Sequence, residues 1–222
     1  MIQSEFMSSQ QDALENLRVI RSLMEKAHIY RAISAPAALV GGLLSAAVAS
    51  FGISSSSGDD PSIVASDFLA LWLGVLIISA VINVMLLARE ARRRGHSLIS
   101  DGMKMAIRAI APPMLVGGVV GISLILKSHS VTAAALAWII CYGLALLATA
   151  SFSPRSLIRL GWCFVLSGLA LFWVWVDKSP LLTSSGDVGT AMKVMGLTFS
   201  LLHIGYGLAV LFGRKPEPKI AE

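Results

Sequence analysis

Hydrophobic and polar positions alternate along this chain in long blocks. Six apolar stretches, at residues 33–53, 68–88, 106–126, 131–150, 157–176 and 192–212, are separated by short segments that carry most of the charge. About 20 apolar residues make a helix that crosses a hydrocarbon layer of ~30 Å. In that layer the backbone must bond to itself, which a helix does. The pattern therefore predicts an all-α, polytopic transmembrane bundle of six spans. Its parts are an N-terminal segment 1–31, a membrane bundle 32–213 and a short tail 214–222.

The N-terminal segment has a different period. Leu14, Leu17, Ile20, Met24 and Ala27 recur at steps of three and four, as on one face of a helix. Asp12 and Glu15 stand at the spacing of a capping box, in which each side chain satisfies a backbone donor of the first turn. Arg18, Arg21, Lys26 and Arg31 add cations beside the first span, and Pro36 marks a break before it. An amphipathic cytoplasmic helix is expected. It either docks a cytoplasmic or membrane protein partner through residues 12–31, or lies on the bilayer or bundle.

The loops then orient the chain. Placing alternate loops on alternate sides leaves Lys127, Lys178 and Lys193 on one face and the other 15 of the 18 Lys and Arg on the opposite face. Cations concentrate on the cytoplasmic side of membrane proteins, so both termini are expected inside. The net charge of +5 follows this topology and suits contact with anionic lipid, which removes the case for nucleic acid. The first external loop, Ser54 to Asp67, reads as a solvated Ser/Gly/Asp/Pro turn. A 55% apolar and 14% charged composition leaves no room for a separate soluble domain.

An internal echo subdivides the bundle. Ala35-Pro36-Ala37-Ala38-Leu39-Val40-Gly41-Gly42 opens span one, and Ala111-Pro112-Pro113-Met114-Leu115-Val116-Gly117-Gly118 opens span three. Tyr142-Gly143-Leu144-Ala145-Leu146-Leu147 in span four resembles Tyr206-Gly207-Leu208-Ala209-Val210-Leu211 in span six. These matches predict three tandem helical hairpins. Two rows of small residues, Ala37, Gly41, Ser45 and Ala49 in span one and Pro113, Gly117 and Gly121 in span three, predict close helix packing.

Candidate chemistry is sparse. No Asp, Glu, Lys or Arg lies near the middle of a span, which argues against ion-coupled transport. His203 is mid-span, and Gly196, Ser200 and Gly207 fall with it at steps of four, three and four. One shared face, turned into the bundle, is expected. His203 is read either as a neutral group bonded to another helix, with Tyr142 as its partner at similar depth, or as part of a ligand pocket with Tyr142, Ser200 and Tyr206. Ser167-Gly168 with His203 suggests an intramembrane serine hydrolase only remotely, because Val165 stands where that signature has Gly. Cys141 and Cys163 lie inside spans and read as packing residues. Phosphate-loop, zincin and Cys/His zinc motifs are absent, so no cofactor or metal is expected.

Three segments carry a resemblance. Leu17-Arg18-Val19-Ile20-Arg21-Ser22-Leu23-Met24-Glu25-Lys26-Ala27 is similar to an L-R-x-I-R-x-x-M-E-x-A pattern, and Tyr142-Gly143 with Phe152-Ser153-Pro154-Arg155 to Y-G-x(8)-F-S-x-R. Leu202-His203-Ile204 with Gly207, followed by Arg214-Lys215, is similar to L-H-I-x-x-G before basic residues. Over residues 14–215 the chain so resembles a family of uncharacterised bacterial multi-span membrane proteins, some encoded beside a winged-helix transcription regulator. The resemblance implies the cytoplasmic (inner) membrane and a regulatory or envelope-stress context. The chain departs where Ala35-Pro36 replaces a V-P-G-W-G-like segment. The expectation is a non-enzymatic regulatory or scaffolding membrane protein. A small-solute facilitator or ligand-binding bundle is the alternative, and self-association into a homo-oligomer stays open.

Overall fold

A computed structural model describes residues 14–19, 35–52, 61–93, 101–183 and 185–213. The described residues are helical apart from short turns and caps, and they contain no strand. The helices are α1 (Ala35–Gly52), α2 (Pro61–Arg93), α3 (Asp101–Ser128), α4 (Val131–Leu147), α5 (Arg155–Val176), a short α6 (Pro180–Thr183) and α7 (Gly186–Phe212). Five of them, α1, α2, α3, α5 and α7, are long and apolar enough to cross a membrane; α4 is apolar but has 17 residues.

Helix ends move from the expected spans for local reasons. Span four stops at Leu147 rather than at residue 150, where Ala148–Ala150 turn the chain. The Thr149 hydroxyl donates to the Leu146 carbonyl at 2.7 Å, which satisfies an acceptor that the ending helix releases. α5 begins at Arg155 because Pro154, extended at φ −64° and ψ 149°, cannot continue a helix backwards. α2 starts at Pro61, so residues 61–67, expected in the loop, are helix; Pro suits a first helical position. Pro112 and Pro113 lie well inside α3 rather than at its start, unlike Pro36 in the first turn of α1. The stretches that echo each other in sequence therefore occupy different positions along their helices.

Of the N-terminal helix, residues 14–19 are described and helical, with Leu14, Leu17 and Val19 exposed. Asp12 and the stripe from Ile20 to Ala27 lie outside the described residues, as do the tail 214–222 and Asp59 and Asp60.

α4 is the centre of the bundle, packed by α3, α5 and α7. Its fully buried side carries Ala134, Ala135, Leu136 and Ile139. On the α3 side, Trp138 lies over Gly121 and donates its indole N–H to the Gly117 carbonyl at 2.9 Å. On the α5 side the backbones nearly touch. A Cβ at Gly143 would stand 2.8 Å from the Val165 nitrogen and 2.9 Å from the Gly161 oxygen. The α7 contact is polar at one end. Asp187 accepts from the Val131 and Thr132 amides at 2.5 and 3.1 Å, and the Thr132 hydroxyl donates to the Asp187 carbonyl at 2.7 Å. Ser130, the residue before α4, makes no such side-chain bond. A carboxylate from another helix thus caps the positive end of α4.

α1 packs on α7. Gly42 faces Ile204 and the Ser200 carbonyl, Ala49 faces Gly196, and Gly207 faces Leu39. The buried row of α1 is Ala35, Ala38, Gly42, Ser45, Ala49 and Gly52 rather than the expected line through Ala37 and Gly41. Steps of four residues drift around a helix by ~40° each, whereas alternating threes and fours stay on one partner. Gly41 turns instead toward Ser79 of α2. The small row of α3 does pack, with Gly117 on Cys141 and Gly121 on Trp138.

Two glycine substitutions separate close approach from simple helix propensity. Gly143→Ala places its methyl against α5 backbone and should lower stability by about 1–3 kcal/mol. Gly118, with nothing within 4 Å of an added Cβ, should tolerate alanine or gain from it. Thermal unfolding in detergent measures both. Equal effects at the two sites would contradict the packing described.

Candidate functional site

His203 and Tyr142 meet where α4, α5 and α7 converge. The Tyr142 hydroxyl and His203 Nε2 are 2.8 Å apart, and His203 Nδ1 is 2.8 Å from the Phe199 carbonyl one turn back. A carbonyl only accepts, so Nδ1 carries the proton. In the neutral ring Nε2 is then the acceptor and the Tyr142 hydroxyl donates to it. Both imidazole nitrogens are engaged.

Rings surround this pair. Phe164 of α5 meets Tyr142 edge-on at 4.8 Å between centroids and lies 5.2 Å from His203. Phe199 is 5.1 Å from Tyr142, 5.0 Å from Phe164 and stacked on His203 at 5.8 Å and 16°. The cluster continues through Trp72, 6.1 Å from Phe199, to Phe68 and then to Trp138. Phe68 and Phe164 are fully buried. Such pairs add about 0.5–1.5 kcal/mol each beyond burial. α2 enters the core through this chain of rings, with the Trp72 indole N–H 3.4 Å from the Met192 sulfur.

A π-helical segment lies within α7. Residues Gly196–Ser200 wind with the wider π turn inside an otherwise regular helix. The expected single face of Gly196, Ser200, His203 and Gly207 is divided. Gly196, the Ser200 carbonyl and Gly207 pack on α1, while His203 turns toward α4 and α5. His203 and Gly207 both follow the π turn, ~40° apart on regular helix, so their division reflects a helix wedged between α1 on one side and α4 and α5 on the other.

Of the four candidate residues, the structure joins Tyr142 and His203. Ser200 is buried on the α1 side, and Tyr206 lies in the core one turn beyond His203. A groove of about 500 Å³ lined by Met85, Ala88, Arg89, Arg92 and Arg93 sits at the basic end of α2 and is lined by none of the four. The Ser167 hydroxyl donates to the Phe164 carbonyl of its own helix at 3.1 Å, and the His203 nitrogens are taken by Tyr142 and Phe199. The residues sequence reasoning missed are Phe164, Phe199 and Trp72, which wall the pair. Phe199 had a legible signal, since it lies four residues before His203. Phe164 and Trp72 come from other helices and had none. No family model, curated protein or solved structure matches the chain.

The Tyr142–His203 bond predicts coupling. Tyr142→Phe and His203→Ala should each lower stability in detergent, and the bond between them is worth about 0.5–2 kcal/mol. The double variant should lose less than the sum of the two by that amount. Strict additivity in chemical or thermal unfolding would show that the contact contributes nothing.

Proposed function

We propose that this chain is a non-catalytic, six-span protein of the bacterial cytoplasmic membrane, with both termini inside, and that it acts as a regulatory or scaffolding protein. The bundle positions an N-terminal helix that engages a protein partner. The observation that carries this reading is the state of His203. Its two nitrogens are bonded within the protein, and Tyr142, Phe164 and Phe199 pack around it. An imidazole so enclosed ties helices together and has no nitrogen available for a ligand, a metal or a nucleophilic serine. Supporting the topology are the basic residues at the ends of α2 and α5, Arg89, Arg92, Arg93, Arg155 and Arg159, which fall on one side if α4 spans. The contacts of Gly41 with α2 and of Gly117 with α4, each on the next helix in the chain, support the hairpin repeat. The resemblance to multi-span proteins encoded beside a transcription regulator supports a regulatory role. In the N-terminal helix, the exposed Leu14 and Leu17 supply an apolar face for a partner.

One paired experiment tests the reading. Deleting residues 1–30 should leave the bundle inserted and extractable while abolishing pull-down of a cytoplasmic partner, which in the full-length chain forms a site-specific cross-link through residue 17. His203→Ala should lower stability and leave that cross-link intact. Loss of the cross-link or of a cellular phenotype in a His203 variant that stays folded would overturn the reading in favour of a pocket. In the same cells an impermeant thiol reagent should label cysteines placed at Ser56 and Ser184 and spare one at Gly95; the opposite pattern reverses the topology.

A further inference from the structure

α2 is the least buried of the long apolar helices: 6% of its most apolar window is buried, against 17–33% in the others. It enters the core through Phe68 and Trp72, near its start. Beyond them Leu76, Ile77, Ile78, Val81, Val84 and Met85 are exposed. Lipid covers such a surface without difficulty. One residue on it does not suit lipid. Asn83 is exposed, and among the described residues none bonds its amide. It is the only carboxamide in the six apolar stretches. Arg89, the first charge after it, lies six residues away, or ~9 Å along the helix. An Asn side chain is too short to reach the interface from that depth. The Ser45 hydroxyl is satisfied on the Gly41 carbonyl of its own helix, whereas the buried Ser79 hydroxyl of α2 has no partner among the described residues. The Asn83 amide, with two donors and an acceptor, makes no bond of that kind.

The residues around Asn83 are spaced for a helix partner. Leu73, Leu76, Ala80, Asn83 and Leu87 succeed one another at steps of three, four, three and four, the seam of a left-handed helix pair. The line is centred ~80° round α2 from Ser79, the residue that meets Gly41 of α1, with Asn83 one turn beyond Ser79 and ~40° from it; among the described residues Leu76, Ala80 and Asn83 are exposed. Ala80, one turn before Asn83, is small and exposed, which lets a second backbone come near.

We propose that two copies of this chain pair in the bilayer through α2, in parallel along Leu73, Leu76, Ala80, Asn83 and Leu87, with the two Asn83 amides hydrogen-bonded to each other across the two-fold axis. Copies inserted in one orientation bring the same residue to the same depth, and a two-fold contact is self-complementary. The carboxamide matches itself, because each can donate to the other's oxygen. A single Asn in an otherwise apolar seam fixes register and favours a dimer, since any slip leaves both amides without a partner. The inference rests on α2 crossing the membrane and is independent of the regulatory role.

The test is oxidative cross-linking in native membranes, on full-length chain with Cys141→Ala and Cys163→Ala as background. Ala80→Cys should give a dimer of twice the chain mass. Ile78→Cys and Met85→Cys, on the opposite side of the helix, should give little. Adding Asn83→Leu to Ala80→Cys should remove the dimer, while the unfolding temperature of the monomer in detergent holds, since Asn83 has no bonding partner among the described residues. Equal cross-linking at all three positions marks random collision and overturns the proposal. So does its absence at Ala80, or an adduct of another mass, which would place a different protein on the seam. A dimer that persists with Asn83→Leu overturns the role of the amide. A monomer destabilised by that change assigns Asn83 to the protomer's own fold instead. Release of the chain from the same membranes by alkaline carbonate would overturn the membrane reading and the pairing with it.

Discussion

The bond between Tyr142 and His203 holds together helices from distant parts of the chain, and the packing around it depends on where that bond is placed. Tyr142 belongs to the central helix and His203 to the last one. Burial from water cannot drive helices together inside a bilayer, because lipid is as apolar as the side chains. Association there needs close backbone packing or a polar bond that lipid does not offer. This protein uses both on the same helix. α4 meets α5 backbone to backbone at Gly143, and one residue away Tyr142 reaches α7. The hydroxyl and the imidazole would each be unsatisfied if the helices separated.

The register of α7 is the second constraint. Its glycines pack on α1 while its histidine reaches α4 and α5. His203 and Gly207 stand ~40° apart on regular helix beyond the π turn, so α7 lies wedged between the two neighbours. The same helix begins with Asp187, whose carboxylate caps α4 from outside its own chain segment. α4 is thus fixed to α7 near its first residues by a cap and near residue 142 by the aromatic pair. A helix of 17 residues, ~25 Å long, is held at two heights by one partner.

Much of this was legible in the sequence, and the reasons are physical. Hydropathy located the apolar helices, because burial in lipid and burial in protein demand the same side chains. It missed ends set by local bonding, such as the Thr149 turn and the start at Pro154. The pairing of His203 with Tyr142 came from depth, since a mid-span imidazole needs a polar partner and few exist. The ring wall did not, because Phe164, Phe199 and Trp72 look like any apolar residue until three helices converge. Nor did the division of the α7 face, because steps of threes and fours do not say which neighbour each member of the row meets. The row in α1 was read at steps of four where the helix packs at alternating threes and fours. Asn83 was visible throughout as a lone amide, but its exposure is a property of the fold alone.

If His203 is a closed structural joint, the protonation pattern of its ring reports that directly. Nitrogen NMR of histidine-labelled protein in lipid bilayers distinguishes the two ring nitrogens. His28, His96 and His129 are the other histidines in the chain and are assigned by substitution. The expected result is a single His203 species with the proton on Nδ1 and Nε2 unprotonated, shifted by Tyr142→Phe and out of exchange with bulk water. A proton on Nε2, a mixture of tautomers, or rapid exchange with water would contradict the closed joint, because each requires the bonds to Phe199 and Tyr142 to be open.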